Sequence, residues 1–252
     1  MPWVGGKFYL AKWIISHFPN NYEDMIYVEP FGGAAWVLLK KKPSKLEVYN
    51  DLDRDLVNLV RVLISPSKFR EFKERAKWVL HCRELCYEAH KKREFEDDID
   101  RALWFAISVV QSFSGARDSW SHSVRYKKTN PWNAFYSRLD KIFERLRRVQ
   151  VENLDYKKVI DKYDSKETLF YIDPPYLGCK YYKFNWNITN YIELAEILKS
   201  IEGKFLLSHY YNEKLIELFN WCNYELKDSC VYAAKSDANG KDKKVEMLIK
   251  NF

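Results

Sequence analysis

Apolar residues along this chain change their spacing several times, and each change marks an element. The run Ile26-Tyr27-Val28 leads into Glu29-Pro30-Phe31-Gly32-Gly33, a short buried strand entering a glycine turn. Ala34 to Lys41 follows as a helix stopped by Pro43, and Leu46 to Tyr49 as a second strand that ends in Asn50-Asp51. Leu52, Leu56, Leu59, Val60 and Leu63 then take helical spacing. Strand, helix, strand and helix in that order imply a parallel sheet.

From about residue 60 to 148 the strand signal gives way to helical stretches around Phe69 to Arg93 and Ile99 to Gln111, then a polar loop from Ser112 to Asn130. Strands resume at Val149 to Val151, Leu169 to Ile172, Phe205 to Ser208, Tyr224 to Val231 and Val245 to Lys250, with helices at Tyr191 to Lys199 and Glu213 to Phe219 between them. The last two strands, joined by the turn Asp237-Ala238-Asn239-Gly240-Lys241, form a hairpin that adds an antiparallel strand. The predicted fold is α/β, a doubly wound sheet built from residues 1–58 and 149–252 and interrupted by a mainly helical insertion over 59–148.

Composition narrows the class. With 47% hydrophobic and 17% aromatic residues the chain has the makings of a folded globule. No apolar run approaches the roughly 20 residues that cross a bilayer. The stretch from Met1 to Lys12 lacks the cationic-then-apolar order of a signal peptide, so a cytoplasmic protein is expected. Five cysteines without framework spacing argue for reduced thiols. His81, Cys82, Cys86 and His90 have the chemistry of metal ligands, but on a helix Cys82 and His90 stand about 12 Å apart along the axis. Zinc draws its ligands to within about 2.0–2.3 Å, so no metal is expected there.

Charge adds a partner. The net +7 is unevenly spread: residues 59 to 148 hold 20 Lys and Arg against 12 Asp and Glu, and the remainder holds 22 against 23. Within that segment, nine basic side chains over residues 117 to 148 interleave with Trp120, Tyr126, Trp132, Phe135 and Tyr136. Basic groups mixed with aromatics suit a phosphate backbone and its bases. Phe143, Leu146 and Val149 among them also fit the core side of a solvated amphipathic helix.

The sharpest chemistry lies after the strand Leu169 to Ile172, in Asp173-Pro174-Pro175-Tyr176. Consecutive prolines make a stiff corner whose carbonyls have no competing N–H, and the carboxyl end of a parallel strand is where open α/β sheets bind ligands. An exocyclic amine held between the Asp173 carboxylate and a proline carbonyl donates both hydrogens and becomes nucleophilic. Tyr176 is placed to stack on its ring, and the loop with Tyr181, Tyr182, Phe184 and Trp186 is a candidate to close over it, or to pack on the sheet. A strand-ending turn is the plain alternative for the tetrad. Asp51 suits ribose hydroxyls, or else caps the helix from Leu52; Asp53 and Asp55 read as solvent-facing. Trp3-Val4-Gly5-Gly6-Lys7 sets an indole, a flexible turn and a cation together, with Lys7 able to meet a carboxylate.

Trp3 to Lys7, Glu29-Pro-Phe-Gly-Gly, Asn50-Asp51, Leu154-Asp155-Tyr156 and Asp173-Pro-Pro-Tyr stand in an order that resembles the Dam-like, D12 class adenine-specific DNA methyltransferases. The resemblance implies a Rossmann-like methyltransferase sheet with the insertion as target-recognition domain, and methyl transfer from S-adenosylmethionine to adenine N6 in double-stranded DNA, after base flipping. It implies that Trp3, Lys7, Phe31, Gly33, Asp51, Asp155 and Asp173 contact the cofactor, with Lys7 near its carboxylate and Asp51 on its ribose. Asp173, Pro174, Pro175 and Tyr176 would form the catalytic corner. Arg117, Ser119, Ser121, His122, Arg125 and Lys127 are the candidate groove contacts, the arginines being suited to guanine. The chain departs from the family's Phe-x-Gly-x-Gly at Ala35. A monomer is expected, with a cognate restriction endonuclease as a possible companion. The competing readings are a catalytically silent DNA-binding module of the same fold and a methyltransferase for RNA or a protein amide.

Overall fold

The computed structural model describes residues 1, 3–91, 93–121, 130–179, 185–230 and 243–252. Its centre is a seven-stranded sheet made of β1 (Ile26–Glu29), β2 (Leu46–Asn50), β3 (Gln150–Glu152), β4 (Thr168–Ile172), β5 (Lys204–Tyr210), β6 (Asn223–Cys230) and β7 (Lys243–Lys250). The spatial order is β3-β2-β1-β4-β5-β7-β6. β1 to β5 pair in parallel, and β7 is antiparallel to both β5 and β6. The order turns back between β1 and β4, which creates the crevice of a doubly wound sheet. The antiparallel C-terminal pair is present as expected, while its turn at 237–241 lies outside the described residues.

Strand alternation sorts the sheet's side chains onto two cores. Tyr27, Tyr49, Leu169, Tyr171, Leu206 and Leu248 face one side, where α1 (Ala11–Ser16), α2 (Trp36–Lys40) and α8 (Leu139–Leu146) contribute to the packing. Val28, Val48, Phe170, Ile172, Phe205, Leu207, Met247 and Ile249 face the other, against α9 (Tyr156–Tyr163), α10 (Ile188–Ser200) and α11 (Glu213–Leu218). A third cluster joins α3 (Arg54–Ile64), α4 (Pro66–Lys77), α6 (Asp98–Val110) and α7 (Pro131–Tyr136).

Several boundaries differ from the sequence expectation for identifiable reasons. The helix expected from Ala34 starts at Trp36, because Ala35 is left-handed at φ 54°. The helix spacing that begins at Leu52 becomes helical at Arg54, where the Asp53 side chain caps the Asp55 N–H. The stretch expected as one helix from Phe69 to Arg93 is two, α4 and α5 (Arg83–His90). The Gln111 side chain occupies the break, donating to the Leu80 carbonyl at 2.8 Å and accepting from the Cys82 N–H at 3.2 Å. The residue 58/59 boundary falls inside α3, whose Val57 and Val60 join the first sheet core while Leu56, Leu59, Val62 and Leu63 join the helical cluster.

Candidate active site

The crevice between β1 and β4 opens into a cavity of about 280 Å³ whose walls include Trp3, Lys7, Phe31, Gly33, Asp51, Asp155 and Asp173. Five separate chain segments supply these seven residues, and the parallel sheet brings them together because β1, β2 and β4 all end at the same edge.

The β1–α2 turn is shaped by its neighbours. A Cβ on Gly32 would lie 2.1 Å from the Tyr49 ring, so that position has no room for a side chain. Gly33 has φ +48°, and a Cβ there would sit 3.1 Å from the Trp3 indole nitrogen. Tyr49 also donates its hydroxyl to the Gly33 carbonyl at 2.8 Å. Asn50, fully buried, donates to the Pro30 and Leu154 carbonyls and accepts from the Leu154 N–H, tying the ends of three strands. Asp51 does not cap α3. Its oxygens accept from the Gly33 N–H at 2.9 Å and the Asp53 N–H at 2.8 Å, and burial raises its carboxyl to about 6 against the pull of those bonds. Asp53 and Asp55, expected in solvent, are instead structural: Asp53 is buried in its capping role, and Asp55 pairs with Arg101 at 2.7 Å.

At the other end of the cavity, Asp173 is held from two sides. Lys7 Nζ lies 2.8 Å from Oδ2 and 2.7 Å from Oδ1, and Ser208 Oγ donates to Oδ1 at 2.8 Å. Lys7 also donates to the Gly5 carbonyl at 2.8 Å. Its ammonium is thus directed at the Asp173 carboxylate, where the sequence reading had placed it on a cofactor carboxylate. Tyr191 donates to the Pro175 carbonyl at 3.1 Å, and Pro175 lines the cavity. Pro174 is buried, and Tyr176 is 3% exposed with its hydroxyl on Glu246 and its ring stacked on His209.

Phe31, Tyr156 and Trp186 pack as an aromatic trio with centroids 5.2–5.3 Å apart on the cavity wall. Trp186 therefore belongs to the crevice, and Tyr181, Tyr182 and Phe184 lie outside the described residues. Asp155 lines the cavity and caps α9 through the Lys157 N–H at 3.0 Å. Tyr49, Tyr191, Ser208 and Glu246 carry no motif of their own, so sequence spacing had no signal for them.

In the insertion, Arg117 has φ 58° and sets its guanidinium 5.4 Å from the Phe105 ring centroid. Ser119 Oγ donates to Asp118 at 2.8 Å, and the Ser121 N–H to the Gln111 carbonyl at 2.7 Å. These three stand apart from the cavity wall. His122, Arg125 and Lys127 lie outside the described residues. Near the former metal candidates, Cys86 Sγ is 3.8 Å from His90 Nε2; among the described residues no group of three or more His, Cys, Asp or Glu is arranged to hold a metal.

A doubly wound sheet whose switch-point crevice ends on an Asp-Pro-Pro-Tyr corner has the form of a Rossmann-like methyltransferase. The family model of D12 class N6 adenine-specific DNA methyltransferases matches residues 3–229, and the chain belongs to that family. It is 26% identical to the Type II methyltransferase M.MjaIII of Methanocaldococcus jannaschii, in an alignment covering 100% of this chain and 98% of that protein. It is also 23% identical to the DNA adenine methylase of Haemophilus influenzae, over 89% of this chain and 84% of the relative. Among the described residues no helix is long and apolar enough to cross a membrane.

Proposed function

We propose that this methyltransferase transfers a methyl group from S-adenosylmethionine directly to N6 of an adenine turned out of duplex DNA. The observation that carries the reading is Asp173, clamped by Lys7 and Ser208 on the wall of a cavity that also gathers Trp3, Phe31, Gly33, Asp51 and Asp155.

The walls fit the cofactor chemically. The faces of Phe31, Tyr156 and Trp186 suit a purine ring, and Asp51, at the end of β2, is an acceptor for ribose hydroxyls. The Gly33 turn, covered by the Trp3 indole, allows close approach of a ligand to backbone. When bound, S-adenosylmethionine supplies an electrophilic methyl group on a sulfonium sulfur. Asp173 and a proline carbonyl of the corner accept the two hydrogens of the adenine amine, which frees its lone pair from ring conjugation, and the Asp173 carboxylate is the first acceptor for the proton that N6 gives up. Lys7 enters this scheme as the support of that carboxylate. Positioning and polarisation are the chain's contribution.

Extruding the base costs a few kcal/mol. The basic insertion over 59–148, acting as target-recognition domain, offsets this by meeting phosphates, with Arg117, Ser119, Ser121, His122, Arg125 and Lys127 reaching the groove. The Type II relative extends the reading to a restriction-modification setting.

Transfer of labelled methyl from S-adenosylmethionine to DNA tests this directly. Asp173→Ala is expected to lower it by at least about a hundredfold, with RNA and protein as poor acceptors for the unmodified chain. Undiminished transfer by a folded Asp173→Ala variant overturns the assignment of the site.

A further inference from the structure

Glu246 in β7 is 5% exposed, and no motif in the sequence singles it out. A carboxyl in that position is costly unless partners hold it. Its Oε2 accepts the Tyr176 hydroxyl at 3.1 Å. The Tyr176 ring stacks on His209 with centroids 4.5 Å apart and a 30° interplanar angle, and it meets Tyr210 edge-on at 4.8 Å. Lys7 Nζ lies 4.6 Å from the same ring centroid while paired with Asp173. Glu246 thus reaches the reacting carboxylate through Tyr176 and Lys7.

His209 makes this backing rigid. Its Nε2 accepts the Leu177 N–H at 2.8 Å, which assigns the proton to Nδ1, donating to the Tyr210 carbonyl at 2.6 Å. Such an arrangement suits a neutral ring, and burial lowers its proton affinity to about 4.

We propose that Glu246 is a positioning residue for methyl transfer: through the Tyr176 hydroxyl it sets the geometry of the Asp173 corner. The inference rests on the function proposed above. Two carboxyls, Asp173 and Glu246, stand around one ammonium. Burial first, opposed by Lys7 and reinforced by Asp173, lifts Glu246 to about 7, so its charge changes near neutrality. The other groups facing it are Tyr171 from β4, Tyr210 from β5, Cys179 from the loop after the corner, Lys227 opposite it in β6, and Lys244 of its own strand. Ionised, Glu246 is a charged acceptor for Tyr176; protonated, it is a weaker one.

The test is the pH profile of kcat for methyl transfer to DNA. In the unmodified chain kcat is expected to rise with pH through about 7. Glu246→Gln keeps a carbonyl for Tyr176 but cannot titrate, so the rise disappears, and kcat at pH 8 falls about tenfold with KM for S-adenosylmethionine little changed. Tyr176→Phe should remove the same limb, and adding Glu246→Gln to it should cost nothing further. Thermal unfolding separates these effects from loss of fold, and the Tyr176→Phe arm stands if the Gln variant does not fold. A limb that persists in either folded variant, or fully additive losses, overturns the proposal while leaving the methyltransferase reading intact. An unmodified chain that transfers no methyl group to DNA brings down the reading and this inference together.

Discussion

Ala35 occupies the place of the family pattern's last glycine, and its backbone is left-handed at φ 54° and ψ 32°. That conformation costs a non-glycine residue about 1–2 kcal/mol. Glycine would relieve the strain, at the expense of up to about 1 kcal/mol of added chain entropy and about 0.8 kcal/mol for a lost buried methyl. The opposing effects are of similar size, so Ala35→Gly should stay within about 1 kcal/mol of the unmodified chain in urea unfolding. A change above about 2 kcal/mol would show that another contact shapes the turn. Gly32 permits no such exchange, because the Tyr49 ring fills the space of its side chain. Asp51 and Asp53 show the same contextual dependence: Asp51 reads in sequence as a possible cap and Asp53 as solvent-facing, yet the start of α3 at Arg54 makes Asp53 the cap and leaves Asp51 to the cavity.

At the scale of elements, α8 is fastened to the sheet by an ionic group in the interior. Arg145 donates to Glu47 Oε2 at 2.6 Å, to Oε1 at 2.7 Å and to the Leu38 carbonyl at 2.7 Å, while Lys41 donates to the same Glu47. Burial alone would raise the Glu47 carboxyl, but the bonds from Arg145 and Lys41 hold it below its ordinary range. One anion therefore serves two cations. Glu47→Ala strands both and should cost about 3–5 kcal/mol, whereas Arg145→Ala leaves Glu47 paired with Lys41 and should cost less. Chemical denaturation of the two variants checks the order, and the reverse ranking would mean that Arg145 packing dominates. The sequence edge at residue 58 falls within α3, which carries apolar residues on two faces, one for the sheet and one for the helical cluster.

For the whole molecule, the buried carboxyl of Glu29 links stability to pH. It accepts from the Tyr27 hydroxyl at 2.7 Å and the Leu38 N–H at 2.8 Å, yet burial lifts it to about 8. Unfolded, the same group releases its proton near about 4.3. Between these values the folded chain holds the extra proton, so this group's contribution to stability is present at low pH and declines as pH rises towards 8. Glu29→Gln cannot titrate and should gain on the unmodified chain from pH 5 to 8, by up to about 1.4 kcal/mol per pH unit. Thermal midpoints measured across that range decide it; a constant difference would place the Glu29 proton elsewhere. Trp3 acts at this scale too, lining the cavity while packing against the helical cluster beside Phe105 at 6.3 Å.

Apolar spacing by itself determined the strands of the sheet and the βαβ order, because period-2 and 3.6-residue patterns are local properties of a chain that must bury one face or two. It also marked the stiff corner at Asp173-Pro174-Pro175-Tyr176, since proline stiffness and the end of an apolar strand are readable there without neighbours. Tertiary structure alone decided the rest. The Lys7 ammonium turns to Asp173 because residues 166 positions apart meet at one sheet edge. The Phe69 to Arg93 helix breaks because Gln111 binds its backbone, and Trp186 joins Phe31 and Tyr156 because the crevice gathers them. Each depends on contacts between distant segments, and such contacts leave no period in the sequence.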